Sequence, residues 1–158
     1  RFADVAVSLK QLHRDGSLQE GSGPSVASEC GILVPTLSGE RAGAGCAAIV
    51  SRRGNAGAAH LNGALSRNRE GNWEGFLGAI VEGVGRGSFR PVGEVFAVRD
   101  SGGRHTESAL AGMVWTARKG LAFDVALRKA RTEEHFVSEI RIGLTWALPA
   151  LSTAMLPP

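Results

Sequence analysis

The chain of 158 residues contains no tyrosine; its aromatic residues are three tryptophans and six phenylalanines. It also lacks any apolar run of about 18 residues, so no transmembrane helix is predicted. No Cys-x-x-Cys motif and no cluster of cysteines and histidines occurs, so neither a metal site nor a cofactor is indicated. The basic residues are scattered and the net charge is only +3, which argues against a nucleic-acid-binding surface.

Proline is scarce and glycine abundant, at 6 and 22 residues, a balance that suits many tight turns. Charged residues make up 21% of the chain and hydrophobic residues 43%, so a folded domain is expected rather than disorder. We predict one domain over residues 1–148 and a tail over 149–158. The first residue is Arg1 and no signal peptide is visible, which indicates a mature chain or a fragment.

The segment Phe136–Leu148 shows the organising pattern most clearly. Every second residue is apolar: Ile140, Ile142, Leu144, Trp146 and Leu148. The residues between them include Glu139 and Arg141. Because a strand directs successive side chains to opposite faces, this alternation predicts a strand with one apolar and one polar face.

The same alternation recurs along the chain, with turn residues between the repeats. The apolar spacing in Leu121–Arg131 is two residues, which does not match the period of a helix. We therefore predict an all-β fold, an antiparallel up-and-down meander that closes as a β-barrel of about 8–10 strands. The predicted strands are Ala3–Arg14, Pro24–Thr36, Cys46–Arg52, Ala58–Arg67, Trp73–Gly83, Phe89–Asp100, Glu107–Arg118, Leu121–Arg131 and Phe136–Leu148.

Alternation alone does not decide which face lies inside. A soluble barrel or sandwich buries its apolar face as a core or around an apolar ligand, whereas a transmembrane barrel turns that face to lipid. Strands of 10 to 13 residues are longer than a sandwich needs and long enough to cross a bilayer when tilted. The direction in which the apolar residues of Phe136–Leu148 point would separate the two designs.

Five segments together resemble the outer-membrane β-barrels of the family named for the "MetA-pathway of phenol degradation", whose members are described as transporters. They are Asp4–Lys10 (DVAVSLK), Gly23–Thr36 (GPSVASECGILVPT), His60–Gly63 (HLNG), Gly93–Val98 (GEVFAV) and Arg141–Trp146 (RIGLTW). The resemblance covers most of the chain through weak motifs. It implies a bacterial outer-membrane location, contact with outer-membrane lipid and passive, porin-like transport of a small solute without catalysis.

The chain departs from that family in three respects. The family is rich in tyrosine, which is absent here, and its strands usually end at an aromatic C-terminus, whereas PALSTAMLPP follows the last strand. Nine strands is an odd number, which we interpret as a barrel that lacks its first strand. The chain would then be a divergent or truncated member.

No catalytic residues are predicted. The four histidines, His13, His60, His105 and His135, are widely separated, and no triad order or nucleophile elbow accompanies them. The glycines of Gly39–Gly45 lack the Lys-Ser/Thr of a phosphate loop and are predicted to form a surface loop.

The functional candidates are charged residues at mid-strand on the polar faces. If these faces line a lumen, the charges set the local field or fill the interior as a salt-bridge network. They are Glu94, Asp124, Arg128, Glu139 and Arg141. Trp73, Trp115 and Trp146 are candidates for anchors at the membrane interface, or else core residues of a soluble sheet. Cys30 and Cys46 could form one disulfide or remain two thiols.

Overall fold

The computed structural model describes residues 5–35, 41–69, 71–85 and 87–147. Within these ranges the chain forms nine strands and one short 3₁₀ helix, Ser17–Gln19. The strands are β1 Val5–Arg14, β2 Ser25–Val34, β3 Gly43–Gly54, β4 Gly57–Arg67, β5 Trp73–Gly83, β6 Phe89–Asp100, β7 His105–Arg118, β8 Leu121–Thr132 and β9 His135–Trp146. None of the helices in the described part has the length and apolarity needed to cross a bilayer.

The nine strands form one sheet in sequence order, and every neighbouring pair is antiparallel. This confirms the predicted all-β, up-and-down antiparallel meander. In the described ranges β1 and β9 each have a single strand neighbour, so both are edges of an open sheet. The two edge strands run in the same direction, because eight antiparallel steps separate them.

Most strand boundaries agree with the prediction to within two residues, and Trp73–Gly83 and Phe89–Asp100 agree at both ends. The exception is β3, which begins at Gly43, so the predicted surface loop Gly39–Gly45 is wrong for its last three residues. The sequence around them reads as a loop because it is rich in glycine. A Cβ on Gly45 would lie 2.7 Å from Cβ of Ser66, so glycine lets the two strands approach here.

Two histidines that lie outside the predicted strands are instead the first residues of strands. His105 begins β7 and His135 begins β9, because each is paired in register with the strand before it. Leu148 and the predicted tail 149–158 lie outside the described residues, as does Thr36 at the end of the predicted second strand.

Cys30 and Cys46 form a disulfide between β2 and β3. The two residues are direct partners in the register, with their Cα atoms 4.1 Å apart. Of the two alternatives left open by the sequence, the structure has the bridge.

Candidate functional site

The strand register brings the five predicted charges to one face of the sheet, which we call the polar face. Glu94 of β6 is opposite Leu110 of β7, which is opposite Arg128 of β8, which is opposite Glu139 of β9. Directly opposed residues share a face, so these side chains form one row across four strands. Asp124 and Arg141 join this face, since each is an even number of residues from a member of the row.

Three of the five charges are in direct contact. Arg128 donates from Nη1 to Oε2 of Glu139 at 2.9 Å and from Nε to Oγ of Ser108 at 2.7 Å. Arg141 donates to the same Glu139 oxygen from Nη2 at 3.2 Å and from Nε at 3.3 Å. The Arg128 guanidinium also lies 5.2 Å from the centre of the Phe96 ring, within cation–π range. Arg128 is therefore the centre of a network that ties β6, β7, β8 and β9 together.

The two arginines differ in how far they are shielded from solvent. The side chain of Arg128 is 13% exposed, and that of Arg141 is 48% exposed. A shielded ion pair with further hydrogen bonds contributes more than an exposed pair, which typically contributes about 0–1 kcal/mol. Arg128 is thus the stronger structural element of the network.

Glu94 and Asp124 are not part of this network. Neither carboxylate makes an ion pair with any residue in the described ranges. Glu94 lies between Ile80 and Leu110 in the register, and Asp124 lies between Val114 and Gly143. These two acids remain available to a solute or water on the polar face.

A second polar cluster, which the sequence reasoning missed, lies on the same face near the β5–β6 turn. Glu82 forms an ion pair with Arg90, and the His60 Nε2 atom is 3.8 Å from Glu82 Oε1. His60 Nδ1 lies 2.8 Å from Oγ of Ser51. The sequence feature that could have predicted the Glu82–Arg90 contact is the short turn between β5 and β6, which places Arg90 diagonally across from Glu82.

The geometry of this cluster does not match that of a catalytic triad. Ser51 is only 4% exposed, and Glu82 is engaged by Arg90 as well as facing His60. The nearest acid to the imidazole is beyond hydrogen-bonding distance. Within the described residues there is also no group of three or more His, Cys, Asp or Glu that could hold a metal ion.

The opposite face, which we call the apolar face, leaves large hydrophobic side chains exposed. Ile142 is 82% exposed, Leu127 64% and Leu77 60%. The same holds on β1, where Leu9 is 77% exposed. Isolated exposed hydrophobic residues are ordinary, but a continuous apolar surface across nine strands marks a face that meets lipid or another apolar partner.

The polar face is the better covered of the two. Every buried alanine, serine and aspartate side chain of the described strands lies on it: Ser25, Ala27, Ser51, Ala58, Asp100, Ser108 and Ala130. In the described part of the chain the short helix Ser17–Gln19 covers this face at β2 and β3, and no second sheet covers the rest. Side chains of one sheet shield each other in this way when the sheet curves towards them.

The three tryptophans all lie on the apolar face, near strand ends. Trp73 is the first residue of β5, Trp146 is the last of β9, and Trp115 lies near the end of β7. Trp115 stacks between Phe89 and Phe123, with ring centres 6.2 and 5.5 Å away. These positions suit interfacial anchors, and none of the three rings is buried in a core.

The described aromatic residues of the apolar face therefore form two groups. We call the end of the sheet where the odd-numbered strands begin the lower rim; it carries Trp73 and Phe136. The upper rim, where these strands end, carries Phe89, Trp115, Phe123 and Trp146. Between the rims the apolar face consists mainly of aliphatic, glycine and small residues, with Arg99 and Lys129 two residues inside the level of Trp73 and Phe136.

Comparison of the chain with protein-family models, with curated proteins and with solved structures finds no match in any of the three.

Proposed function

We propose that this chain forms the wall of a transmembrane β-barrel in a bacterial outer membrane. Its apolar face contacts lipid, and its polar face lines an interior through which a small solute passes without catalysis. This is a passive, porin-like transport function. The observation that carries the proposal is the exposed apolar face bounded by two aromatic rims.

The spacing of the rims supports a bilayer in particular. Phe136 and Trp146 lie on the same face of β9, ten residues apart. Strands rise about 3.4 Å per residue, so the rims are about 34 Å apart along the strand. At the tilt of about 40° usual in such barrels, this corresponds to a height of about 26 Å. The apolar band of outer-membrane barrels is about 25 Å tall and has aromatic girdles at both edges.

The distribution of charge supports the same orientation. In the described strands every carboxylate except that of Glu107, and most ion pairs, lie on the polar face, where cross-strand pairs such as Arg128 and Glu139 satisfy each other. A charge at the middle of the lipid-facing surface is costly, and the middle of the apolar face carries none in the described strands. The disulfide between Cys30 and Cys46 is consistent with an oxidising compartment outside the cytoplasm.

Closure of the sheet has two geometric solutions. Because β1 and β9 run in the same direction, they could join each other only as a parallel pair. The alternative is an additional strand between them, antiparallel to both. Either solution satisfies the backbone groups of both edges, which a bilayer requires of any spanning structure.

A soluble barrel or sandwich that binds an apolar ligand is the second candidate, and the exposure pattern argues against it. Such a fold would cover Ile140, Ile142 and Leu144 and leave Glu139 and Arg141 in water. In the structure the three apolar residues are between 61% and 82% exposed, whereas the charged pair lies on the better covered face.

Electrophoresis and solute-flux measurements test the proposal together. The chain is refolded in detergent and in lipid vesicles, and its mobility in dodecyl sulfate gels is compared before and after boiling. We expect faster migration of the unboiled sample and vesicle swelling in small sugars that falls off with sugar size. A chain that stays in the aqueous phase with one gel mobility would contradict the membrane barrel, and insertion without any flux would contradict the transport function.

A further inference from the structure

The charges of the apolar face are almost all positive, and all lie towards its rims. In the described strands the basic residues of this face are Arg14, Arg52 and Arg118 at the upper rim and Arg67, Arg99, Lys129 and Arg131 at the lower rim. The only acid among them is Glu107. The polar face, by contrast, carries more acids than bases in the same strands.

The densest part of this pattern is at the lower rim, where Arg99, Lys129 and Arg131 lie on β6 and β8. We call these three residues the basic patch. All three are exposed. Glu107 lies between them on β7, but its partner is His105, whose Nε2 is 3.1 Å from the Glu107 carboxylate.

None of the three basic-patch side chains makes an ion pair with a residue that the structure describes, although Glu107 lies opposite Arg131 in the register. Arg131 donates to the backbone carbonyl of Glu133 at 2.9 Å and lies 5.7 Å from the centre of the Phe136 ring. Arg99 and Lys129 make no ion pair with any residue that the structure describes. Arg131 is therefore held beside the aromatic rim, and the patch carries three basic residues around one acid, Glu107.

This arrangement fits the surface of a membrane. Basic side chains on a lipid-facing surface extend to the headgroup level, where aromatic rings also reside. The negative potential of anionic headgroups attracts each such residue, and the guanidinium fork binds phosphate oxygens in pairs. We propose that the basic patch binds the phosphate of an anionic phospholipid at the lower rim. The inference rests on the proposed function, because it requires the apolar face to lie in a bilayer.

Spin-labelled lipids provide the test. The chain is reconstituted in phosphatidylcholine vesicles with a trace of spin-labelled phosphatidylglycerol or phosphatidylcholine, and the immobilised fraction of each lipid gives their relative association constant. The variant Arg99→Gln with Lys129→Gln is compared with Lys10→Gln with Arg53→Gln. The second pair removes the same charge from the polar face.

We expect wild-type protein and the Lys10/Arg53 variant to prefer phosphatidylglycerol. The Arg99/Lys129 variant should lose this preference, by roughly fivefold for each basic residue removed. The inference is overturned if the preference survives in the Arg99/Lys129 variant, or if both variants lose it equally. If neither lipid is immobilised by the wild-type protein, the apolar face does not contact lipid, and the proposed function fails with the inference.

Discussion

At the scale of single residues, Arg128 stabilises the polar face through contacts with the neighbouring strands. Its guanidinium contacts Glu139, Ser108 and the Phe96 ring, which belong to three different strands. The small residues around it, such as Ala126 and Ala130, leave space for the long side chain. Glu139 receives hydrogen bonds from two arginines, so it is their shared acceptor.

Replacing Arg128 should be more harmful than replacing Arg141. We expect Arg128→Met to lower the free energy of unfolding by about 2–3 kcal/mol, because it removes charge-assisted hydrogen bonds in a shielded position. Arg141→Met should cost less than about 1 kcal/mol, as is usual for an exposed ion pair. Urea unfolding of both variants in lipid vesicles, followed by tryptophan fluorescence, measures the difference.

A double-mutant cycle with Glu139→Gln identifies the source of that loss. The coupling energy of Glu139 with Arg128 should exceed its coupling with Arg141. Equal stability losses in the two arginine variants, or equal couplings, would show that the contacts of Arg128 do not stabilise the sheet beyond an ordinary surface pair.

At the scale of strands and turns, glycines decide where the meander can reverse. Gly57 follows the Asn55–Ala56 turn and has φ +128, and a Cβ there would lie within 2 Å of the backbone carbonyl oxygen of Glu82. Gly54, on the other side of the same turn, has no atom within 4 Å of its would-be Cβ. The two glycines are thus a matched pair with opposite tolerance to a side chain.

Substitution of these glycines should separate their roles. Gly57→Ala combines a left-handed backbone with a steric clash and should cost about 2–4 kcal/mol. Gly54→Ala should change stability by less than about 1 kcal/mol and can be slightly favourable. The measurement is the urea midpoint of each variant in lipid vesicles. Equal midpoints would mean that neither the backbone conformation at position 57 nor its close approach to Glu82 requires glycine.

The strands were predictable because the two-residue alternation of apolar side chains is visible within each short segment of the sequence. In Leu121–Arg128 and Glu139–Leu148 the alternation is unbroken, and the two strands that contain these segments form where predicted, to within two residues. The start of β3 was missed because Gly43–Gly45 has no side-chain pattern, and its strand conformation comes from pairing with β2 and β4. Tertiary pairing of this kind carries no local signal.

The candidate site was predictable only in part for a similar reason. Alternation placed all five predicted charges on one face, but which charges touch depends on the register between strands. Arg128 and Glu139 are 11 positions apart in sequence and meet because the β8–β9 turn is short. The ion pair between Arg90 and Glu82 follows from the β5–β6 turn in the same way, and alternation within each strand does not reveal it.

At the scale of the whole molecule, the sheet has the reverse of a soluble protein's distribution. Its large aliphatic side chains are exposed, and its charges are on the better covered face. The proposed bilayer on the apolar side gives this inversion, the two aromatic rims and the basic residues at the rims one common explanation. The proposed transport function requires that the apolar face contacts lipid and that the polar face contacts water.

Site-directed spin labelling along β8 measures, for each residue, whether its side chain lies in lipid or in water. Single cysteines are introduced at each position from 121 to 131 and labelled; Cys30 and Cys46 do not interfere, because they are joined in a disulfide. In lipid vesicles we predict maxima of oxygen accessibility at positions 123, 125 and 127, with low accessibility to a water-soluble nickel complex. Positions 124, 126 and 128 should show the opposite preference or be shielded from both. Accessibility without a two-residue period, or nickel access at 123, 125 and 127, would contradict a lipid-facing apolar surface.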